Sequence, residues 1–397
     1  MLQAPRDPAK LVDPDAWWIE RRVISRELLD LGDPRTAYKI VAEHSAESSS
    51  NQADAEFHAG WYALRFLNDP ATARRHFAAI QAVSTMPLSQ SRAEYWLGRS
   101  AEALGDKAEA TAQYRRGAAY PTTFYGQLSA ARLGMKQLVL SNPPQADAAT
   151  KKRFASREMV QAIQRFTAAG YEDRALAFYN QLADTLTNPS EIALLAQMAE
   201  KSGKHQVALQ IGKKAYARGL PVETLAFPTA AIPRNVKTTS IEKSVVYAIA
   251  RQESAFNPGA VSRAGALGLL QLMPGTAKMV AKSAGVPYNA KRLTSDPGYN
   301  ATLGAAHLAD LVGDFNGSYI MSFAAYNAGK SRVMKWVAQY GDPRSADVDA
   351  VDWIERIPFY ETRNYVQRCT ENLQVYRARL GEPALVINQD LRRGARS

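Results

Sequence analysis

Hydrophobic residues recur at helical spacing along most of this 397-residue chain. Through roughly the first half, alanine-rich segments place apolar side chains three and four positions apart, and short GD, ND or TNP breaks separate these segments. Such spacing is typical of amphipathic helices, and the breaks are typical of turns. The pattern predicts an all-α (mainly α) protein.

A repeat lies within this helical region. The sequences GDPRTAYKI, NDPATARRHF, GDKAEATAQY, GYEDRALAFY and GKHQVALQI each carry an alanine five residues after their first residue, namely Ala37, Ala73, Ala110, Ala175 and Ala208. The steps between these alanines are 36, 37, 65 and 33 residues, the long one being about two units. Periods near 34 residues are typical of stacked helical hairpins of the tetratricopeptide type, in which a small residue lets two helices approach closely. Residues 1–218 are therefore predicted to form a helical solenoid, and solenoids offer curved surfaces for binding.

The pattern changes after this region. Residues 219–235 contain three prolines and no helical period, so we predict an ordered connector. The sequence IEKSVVYAIARQESAF then resumes an apolar helical face, and residues 236–397 are assigned to a second helical domain.

Composition narrows the class of protein. Hydrophobic and charged fractions of 46% and 22% are those of an ordinary globular protein. No run of about 18 apolar residues is present, so no transmembrane helix is predicted. The N-terminus lacks the apolar segment of a secretion signal, which leaves a cytoplasmic protein or a processed form of an exported one.

Cysteine and histidine positions and the net charge exclude or disfavour several kinds of site and partner. Cys369 is the single cysteine, so an internal disulfide and a cysteine-based metal site are excluded. The histidines show no pair at metal-ligand spacing, and we interpret them as surface or packing residues: His44, His58, His76, His205 and His307. The net charge of +11 favours acidic partners, but no nucleic-acid-binding motif accompanies it. An anionic polymer is favoured over nucleic acid.

The sequence RQESAFNPGAVSRAGALGLLQLMP, residues 251–274, carries the clearest chemical signal. Glu253 lies at the C-terminal end of a predicted helix, where the helix dipole favours a protonated carboxyl. The small residues that follow allow the backbone to approach a ligand closely. Ser262 and Gln271 then supply neutral hydrogen-bonding groups. This arrangement predicts one wall of a binding cleft with a proton donor in it.

Two later segments have the same character. FAAYNAGKSRV presents Tyr326 and Asn327 among small residues, and IPFYETRNYVQR places Glu361 and Tyr365 one helical turn apart. As a catalytic carboxylate, however, Glu253 has no clear partner, although glycosidases ordinarily need two. The possible second carboxylates lie in less suitable surroundings: Asp296, Asp310, Asp314 and Glu361. One carboxylate suffices when the substrate supplies its own nucleophile.

Residues 253–274 resemble the signature of the soluble lytic transglycosylases, a lysozyme-like family. The matching residues are Glu253, Ser254, Pro258, Ser262, Gly268, Leu269, Gln271, Met273 and Pro274. The segments 325–327 and 357–366 resemble the family's later motifs, and AEYWLGRSAEALGDKAEA and TTFYGQLSAARLG resemble its helical superhelix. The resemblance implies a lysozyme-like α domain over residues 236–397.

The resemblance also implies a reaction. These enzymes cleave the β-1,4 bond between N-acetylmuramic acid and N-acetylglucosamine in peptidoglycan without water, leaving a 1,6-anhydromuramyl end. Glu253 would be the general acid and then the general base, with no metal or organic cofactor. The residues expected to bind substrate are Ser262, Gln271, Met273, Tyr326, Asn327, Glu361 and Tyr365. Met273 and Leu270 are also expected to pack in the core behind the cleft.

Alternatives stay open at this point. The protein could be a lysozyme-like hydrolase with a second carboxylate or a held water, or an inactive scaffold that grips glycan. Glu253 could form a salt bridge to Arg251 or Arg263, and Ser262 and Gln271 could serve only in local turns. A working enzyme would be periplasmic, with its signal peptide removed. Its expected partners are glycan strands with stem peptides and, through the repeats, cell-wall enzymes or a secretion apparatus.

Overall fold

A computed structural model describes residues 1–233, Val236, Thr238 and residues 241–395. The described residues form helices joined by turns and by a few longer segments, and they contain isolated β-bridges but no β-strand. The prediction of an all-α fold is confirmed. Seven residues of the predicted connector and second domain lie outside the described ranges: Arg234, Asn235, Lys237, Thr239, Ser240, Arg396 and Ser397.

The chain divides into two compact units, Met1–Lys136 and Gln137–Ser397. The helices of the first unit are α1 (Pro14–Asp30), α2 (Pro34–Ala42), α3 (Ser49–Arg65), α4 (Pro70–Val83), α5 (Pro87–Ala103), α6 (Lys107–Ala118) and α7 (Phe124–Arg132). The second unit begins with α8 (Ala148–Ala155), α9 (Glu158–Ala168), α10 (Glu172–Thr185), α11 (Pro189–Lys201) and α12 (His205–Ala217). It continues with α13 (Lys243–Ser254), α14 (Pro274–Ser283), α15 (Arg292–Ser295), α16 (Pro297–Asp314), α17 (Tyr319–Ala328), α18 (Lys330–Tyr340), α19 (Ala350–Arg356), α20 (Tyr360–Leu380) and α21 (Ile387–Leu391). Short 3₁₀ helices span Pro8–Lys10 and Glu223–Ala226.

The sequence repeat has a local physical cause. The first residue of each repeat adopts a left-handed backbone with φ between 52° and 85°, in the order Gly32, Asn68, Gly105, Gly170 and Gly203. Glycine and asparagine adopt this conformation at the lowest cost and so end the preceding helix. In the first three repeats, the aspartate one residue later accepts a hydrogen bond from the backbone N–H three residues on. That bond caps the next helix.

The repeat alanines lie at helix contacts. Ala37, Ala73, Ala110, Ala175 and Ala208 are all at most 4% exposed and lie on α2, α4, α6, α10 and α12. Each of these helices packs against the helix before it, in the pairs α1–α2, α3–α4, α5–α6, α9–α10 and α11–α12. The expected helix pairs are therefore present, and their assignment to the tetratricopeptide class stays a prediction.

Aromatic and histidine side chains fill the core of the first unit. Trp18, Trp61 and Trp96 are fully buried and belong to a chain of ring contacts. Glu56 joins two of the histidines, at 3.2 Å from His44 Nε2 and 2.7 Å from His76 Nδ1. The histidines named here therefore pack, one of the two roles that the sequence predicted for them.

In the second unit, α13 and α20 pack together and α17 packs against α20. Every residue from Ser244 to Ala250 on α13 is buried. Helix α20 buries polar side chains as well, because Gln367 and Asn372 have hydrogen-bond partners there. This packing fixes the last turn of α13, on which Glu253 lies.

Across the described ranges, no helix combines the length and apolar character needed to cross a membrane. The same part of the chain contains no group of three or more His, Cys, Asp or Glu side chains placed to hold a metal ion.

Candidate active site

Glu253 is the next-to-last residue of α13, as the sequence predicted. The helix ends because Ala255 and Phe256 adopt left-handed backbone conformations, with φ of 50° and 65°. The chain then turns sharply into the segment of residues 257–273, which we call the cleft loop. Glu253 is partly buried where this loop leaves the helix.

The carboxyl of Glu253 is held by a tyrosine from a distant part of the chain. Tyr365 on α20 donates a hydrogen bond from its hydroxyl to Glu253 Oε1 at 2.6 Å. Burial is the strongest influence on this carboxyl and raises its pKa. The Tyr365 bond lowers the pKa and the charge of Glu361 raises it, with a net pKa of about 7. Glu253 can therefore hold a proton near neutral pH, as a general acid must.

The cleft loop is held together by its own backbone. Leu267 forms isolated antiparallel bridges with both Val261 and Leu272, and Gly268 N donates to Ala260 O at 2.7 Å. Ser254 Oγ donates to Leu269 O at 2.7 Å and so ties the loop to the end of α13. Small residues permit these close approaches within the loop, and their predicted approach to a ligand stays a prediction.

Asn300 on α16 anchors the cleft loop to the rest of the unit. Its Oδ1 accepts from Leu270 N at 2.9 Å, and its Nδ2 donates to Leu267 O and Leu293 O, each at 2.9 Å. The side chain is fully buried, and its amide acts as both a hydrogen-bond donor and an acceptor. Sequence reasoning missed Asn300, and the signal available was an asparagine inside the mainly apolar helix pattern YNATLG.

Two glycines make room for the same contact. A Cβ on Gly268, whose φ is +74°, would lie 1.9 Å from Leu293 O. A Cβ on Gly304 would lie 2.5 Å from Leu270 Cδ2 and 2.9 Å from Leu270 Cβ. Gly268 was part of the predicted signature, whereas Gly304 was not identified from the sequence. Gly268 thus leaves room for the backbone of α15, and Gly304 leaves room on α16 for the Leu270 side chain.

Ser262 and Gln271 take part in local hydrogen bonds within the loop. Ser262 Oγ accepts from Ala266 N at 2.9 Å. Gln271 has a positive φ of 49°, and its Nε2 donates to Ala260 O at 3.2 Å and to Gly268 O at 2.8 Å. The local interpretation of both residues is therefore observed, and their binding of substrate stays a prediction.

Tyr326 and Asn327 lie at the end of α17. The Tyr326 hydroxyl donates to Leu270 O at 2.7 Å, which ties α17 to the cleft loop. Burial raises the pKa of Tyr326 and the charge of Glu253 raises it further, so the two groups lie within electrostatic reach. Asn327 Nδ2 donates to Glu361 Oε1 at 3.2 Å. The three predicted segments therefore meet around Glu253.

The sequence predicted that Leu270 and Met273 both pack in the core behind the cleft, and this is correct for Leu270 only. Leu270 is fully buried, but Met273 is 44% exposed because it is the residue that precedes α14 at the rim of the loop. The expectation that Met273 packs in the core is wrong. Its exposure leaves the thioether accessible at the surface.

The salt-bridge alternative for Glu253 is absent. Arg251 donates to Ala226 O at 3.1 Å and to Asn372 Oδ1 at 2.9 Å, and its guanidinium lies 4.1 Å from the centroid of Phe227. Within the described residues, neither Arg251 nor Arg263 pairs with Glu253. Among the residues that the structure describes, Glu253 therefore has no ion-pair partner.

Cys369 also belongs to the surroundings of Glu253. It lies one turn after Tyr365 on α20 and is fully buried. Burial raises the pKa of its thiol, and the charge of Glu253 raises it further. The buried Cys369 thiol therefore belongs to the low-polarity surroundings that favour the neutral form of Glu253.

Comparison with known proteins defines the class of this domain. Residues 231–348 match the model of the transglycosylase SLT domain. The chain is 41% identical over 149 residues to the soluble lytic murein transglycosylase of Escherichia coli K12 and 37% identical over 156 residues to that of Salmonella typhimurium. The chain carries an SLT domain and is a homologue of these proteins over the 149 and 156 matched residues. The matched region spans 22% and 24% of the relatives' own length.

Solved structures extend the likeness to nearly the whole chain. An inactive mutant of the lytic transglycosylase Slt from Pseudomonas aeruginosa has a TM-score of 0.63 and 27% identity, covering 93% of this chain and 64% of that one. The 70 kDa soluble lytic transglycosylase in complex with bulgecin A has a TM-score of 0.64 and 22% identity, covering 97% of this chain and 68% of that one. At that identity the second likeness supports the fold alone.

Proposed function

We propose that this protein is a peptidoglycan lytic transglycosylase, a carbon–oxygen lyase acting on a polysaccharide. The SLT domain and the names of its relatives support this reaction class. The observation that carries the proposal is the Glu253 carboxyl, whose pKa burial raises to about 7 beside the Tyr365 hydroxyl. Such a group can donate a proton at neutral pH and then accept one.

The proposed reaction uses this one carboxyl twice. Glu253 first gives its proton to the oxygen that links N-acetylmuramic acid to N-acetylglucosamine, and the C1–O bond breaks. The C6 hydroxyl of the same muramyl residue then bonds to C1, and Glu253 takes the hydroxyl proton. The products are a free N-acetylglucosamine end and a 1,6-anhydromuramyl end, with no water consumed. Glu253 returns to its protonated form.

A hydrolytic mechanism would need a second carboxylate or a held water. Glu361 is the nearest candidate among the carboxylates predicted from the sequence, because its charge acts on Glu253. It is exposed and binds Asn327, however, so it is better suited to contact substrate than to hold a water against the sugar ring. The single-carboxyl reaction is therefore preferred.

Other side chains of the site would bind the glycan. The Ser262 hydroxyl can still donate a hydrogen bond to a sugar, because in its bond with Ala266 N it acts only as an acceptor. Both local hydrogen bonds of the Gln271 side chain use Nε2. Its side-chain carbonyl oxygen can therefore accept a hydrogen bond from a ligand. We assign Tyr326 and Tyr365 to the reacting centre. Asn327, Glu361 and Met273 would line the rim of the cleft and contact the strand.

The substrate also suggests where the protein works and how it is organised. Peptidoglycan lies outside the cytoplasmic membrane, so we place the protein in the periplasm, with glycan strands and stem peptides as its partner. We keep residues 1–218 as the helical repeat region, 219–235 as the connector and 236–397 as the catalytic domain. The repeats would offer their surface to cell-wall enzymes or a secretion apparatus, with no nucleic acid involved.

Mass spectrometry of the products tests the proposal. Purified peptidoglycan is digested with the wild-type protein, with Glu253→Gln and with Glu200→Gln. Glu200 is a matched control, because burial also raises the pKa of this carboxyl on α11. We expect muropeptides one water lighter than hydrolysis products from the wild type and Glu200→Gln, and none from Glu253→Gln. Reducing-end muropeptides would show that the protein is a hydrolase. If the wild type released no products, both enzymatic functions would be contradicted, and the hypothesis of an inactive glycan-binding scaffold would remain.

A further inference from the structure

His307 lies on α16 beside a residue of the proposed active site. The centroids of its imidazole and of the Tyr326 ring are 5.3 Å apart, with the rings inclined at 45°. Both side chains are partly buried, so the contact reaches the surface. The sequence suggested only a surface or packing role for His307.

The imidazole of His307 has unused hydrogen-bonding capacity. Within the described part of the chain, neither ring nitrogen has a hydrogen-bond partner, and neither is among the fully buried unpaired polar atoms. Both nitrogens are therefore accessible. A ring that served packing alone would not need them, whereas a ligand beside Tyr326 could use them.

Burial, more than the neighbouring charges, sets the protonation state of His307. It lowers the pKa of the imidazole and so favours the neutral form, and Asp310 and Asp314 on the same helix partly oppose this. Asp314 is paired with Lys330 on α18 at 2.9 Å. Tyr326 faces the ring from α17. A neutral imidazole offers one N–H donor and one acceptor nitrogen, a combination suited to sugar hydroxyl and acetamido groups.

We propose that His307 is a further glycan-binding residue, which hydrogen-bonds a sugar hydroxyl or acetamido group next to Tyr326. This proposal rests on the proposed function, because it takes peptidoglycan glycan as the ligand. It extends the site from Tyr326 onto α16, a helix to which sequence reasoning assigned no binding residue. The residue acts on affinity and does not exchange a proton with the reacting bond.

The test distinguishes the packing of the His307 ring from the hydrogen bonding of its two nitrogens. His307→Phe keeps an aromatic ring against Tyr326 and removes both nitrogens. We expect KM for peptide-free glycan strands to rise about three- to tenfold, as for one lost hydrogen bond, with kcat and Tm unchanged. His205→Phe is the matched control, because His205 is also a partly buried histidine whose pKa burial lowers. It should leave KM unchanged.

Three results would overturn the inference. They are an unchanged KM in His307→Phe, a fall in Tm or kcat alone, and an equal rise of KM in His205→Phe. If the wild type releases no anhydro products, the proposed reaction fails, but binding of the same glycan strands still tests His307. Weaker binding by His307→Phe than by the wild type and His205→Phe would then support the inference, and equal binding would overturn it.

Discussion

At Glu253, two neighbours act on one carboxyl in opposite directions. The Tyr365 hydroxyl stabilises the charged form by donating to it at 2.6 Å, whereas the negative charge of Glu361 disfavours that form. Burial outweighs the Tyr365 bond and sets the raised pKa of about 7. Because the proposed mechanism begins with proton donation, activity should fall as pH rises through this value.

Two substitutions should therefore move the pH profile of kcat/KM in opposite directions. Tyr365→Phe removes the bond that favours the carboxylate, so the pKa of Glu253 rises and the basic limb moves to higher pH. Glu361→Gln removes a negative charge, so that pKa falls and the limb moves to lower pH. We expect about half a pH unit or more for Tyr365→Phe and less for the exposed Glu361, which solvent and salt screen.

The measurement is the initial rate of anhydromuropeptide release at several pH values. Tyr171→Phe and Glu158→Gln change similar groups at exposed positions outside the site and should leave the profile in place. A shift of both site variants in the same direction would contradict this account of the carboxyl.

At the scale of elements, the cleft loop depends on its contact with α16. Asn300 forms hydrogen bonds with three backbone groups, those of Leu267, Leu270 and Leu293. Gly304 lets Leu270 lie directly against the helix. Leu270 in turn accepts the Tyr326 hydroxyl bond through its carbonyl. The position of α16 therefore helps to determine the position of Tyr326 near Glu253, because the Leu270 backbone is hydrogen-bonded to both Asn300 and Tyr326.

The same substitution at two places on α16 should have opposite effects. Gly304→Ala places a Cβ 2.5 Å from Leu270 Cδ2, so we expect a loss of about 1–3 kcal/mol and at least about tenfold lower kcat. Gly313→Ala meets nothing within 4 Å and should stabilise the helix by up to about 1 kcal/mol without changing kcat. Chemical unfolding and product release measure both effects. Equal stability changes in the two variants would refute the packing argument.

At the scale of the whole molecule, the connector is packed onto the catalytic region. Tyr247 on α13 donates to Thr229 O at 2.6 Å, and Arg251 binds Ala226 O and lies over Phe227. Phe227 and Ile232 are each 2% exposed. These contacts lie within the second compact unit, so a cut at the predicted start of the catalytic domain would remove part of its core.

Fragments of the chain should therefore differ in stability. We expect residues 137–397 to fold and to release anhydromuropeptides, and residues 236–397 to unfold at a temperature at least about 5 °C lower. Loss of buried Phe227 alone should cost a few kcal/mol. Thermal unfolding followed by circular dichroism compares the two fragments. Equal unfolding temperatures would show that the connector adds nothing to the domain.

Local sequence signals located the elements of this protein. Gly32 and Asp33 end one helix and cap the next within three residues, so the repeat was visible without any structure. The placement of Glu253 near the end of α13 was predictable from the apolar helical pattern of IEKSVVYAIARQESAF. The hypothesis that Glu253 is a proton donor came from its position at a helix end, and the specific reaction came from the resemblance of residues 253–274 to a known family.

Contacts between distant residues could not be obtained in this way. Tyr365 reaches Glu253 across 112 residues, and Tyr326 reaches Leu270 across 56. Asn300 stood out only as an asparagine in an apolar pattern, and His307 carried no local signal, because the roles of both depend on which elements pack beside them. Propensities and caps act over a few residues and so can be predicted from the sequence. The pKa of Glu253 and the partners of its carboxyl are set by burial and by converging side chains, which only the packed tertiary structure determines.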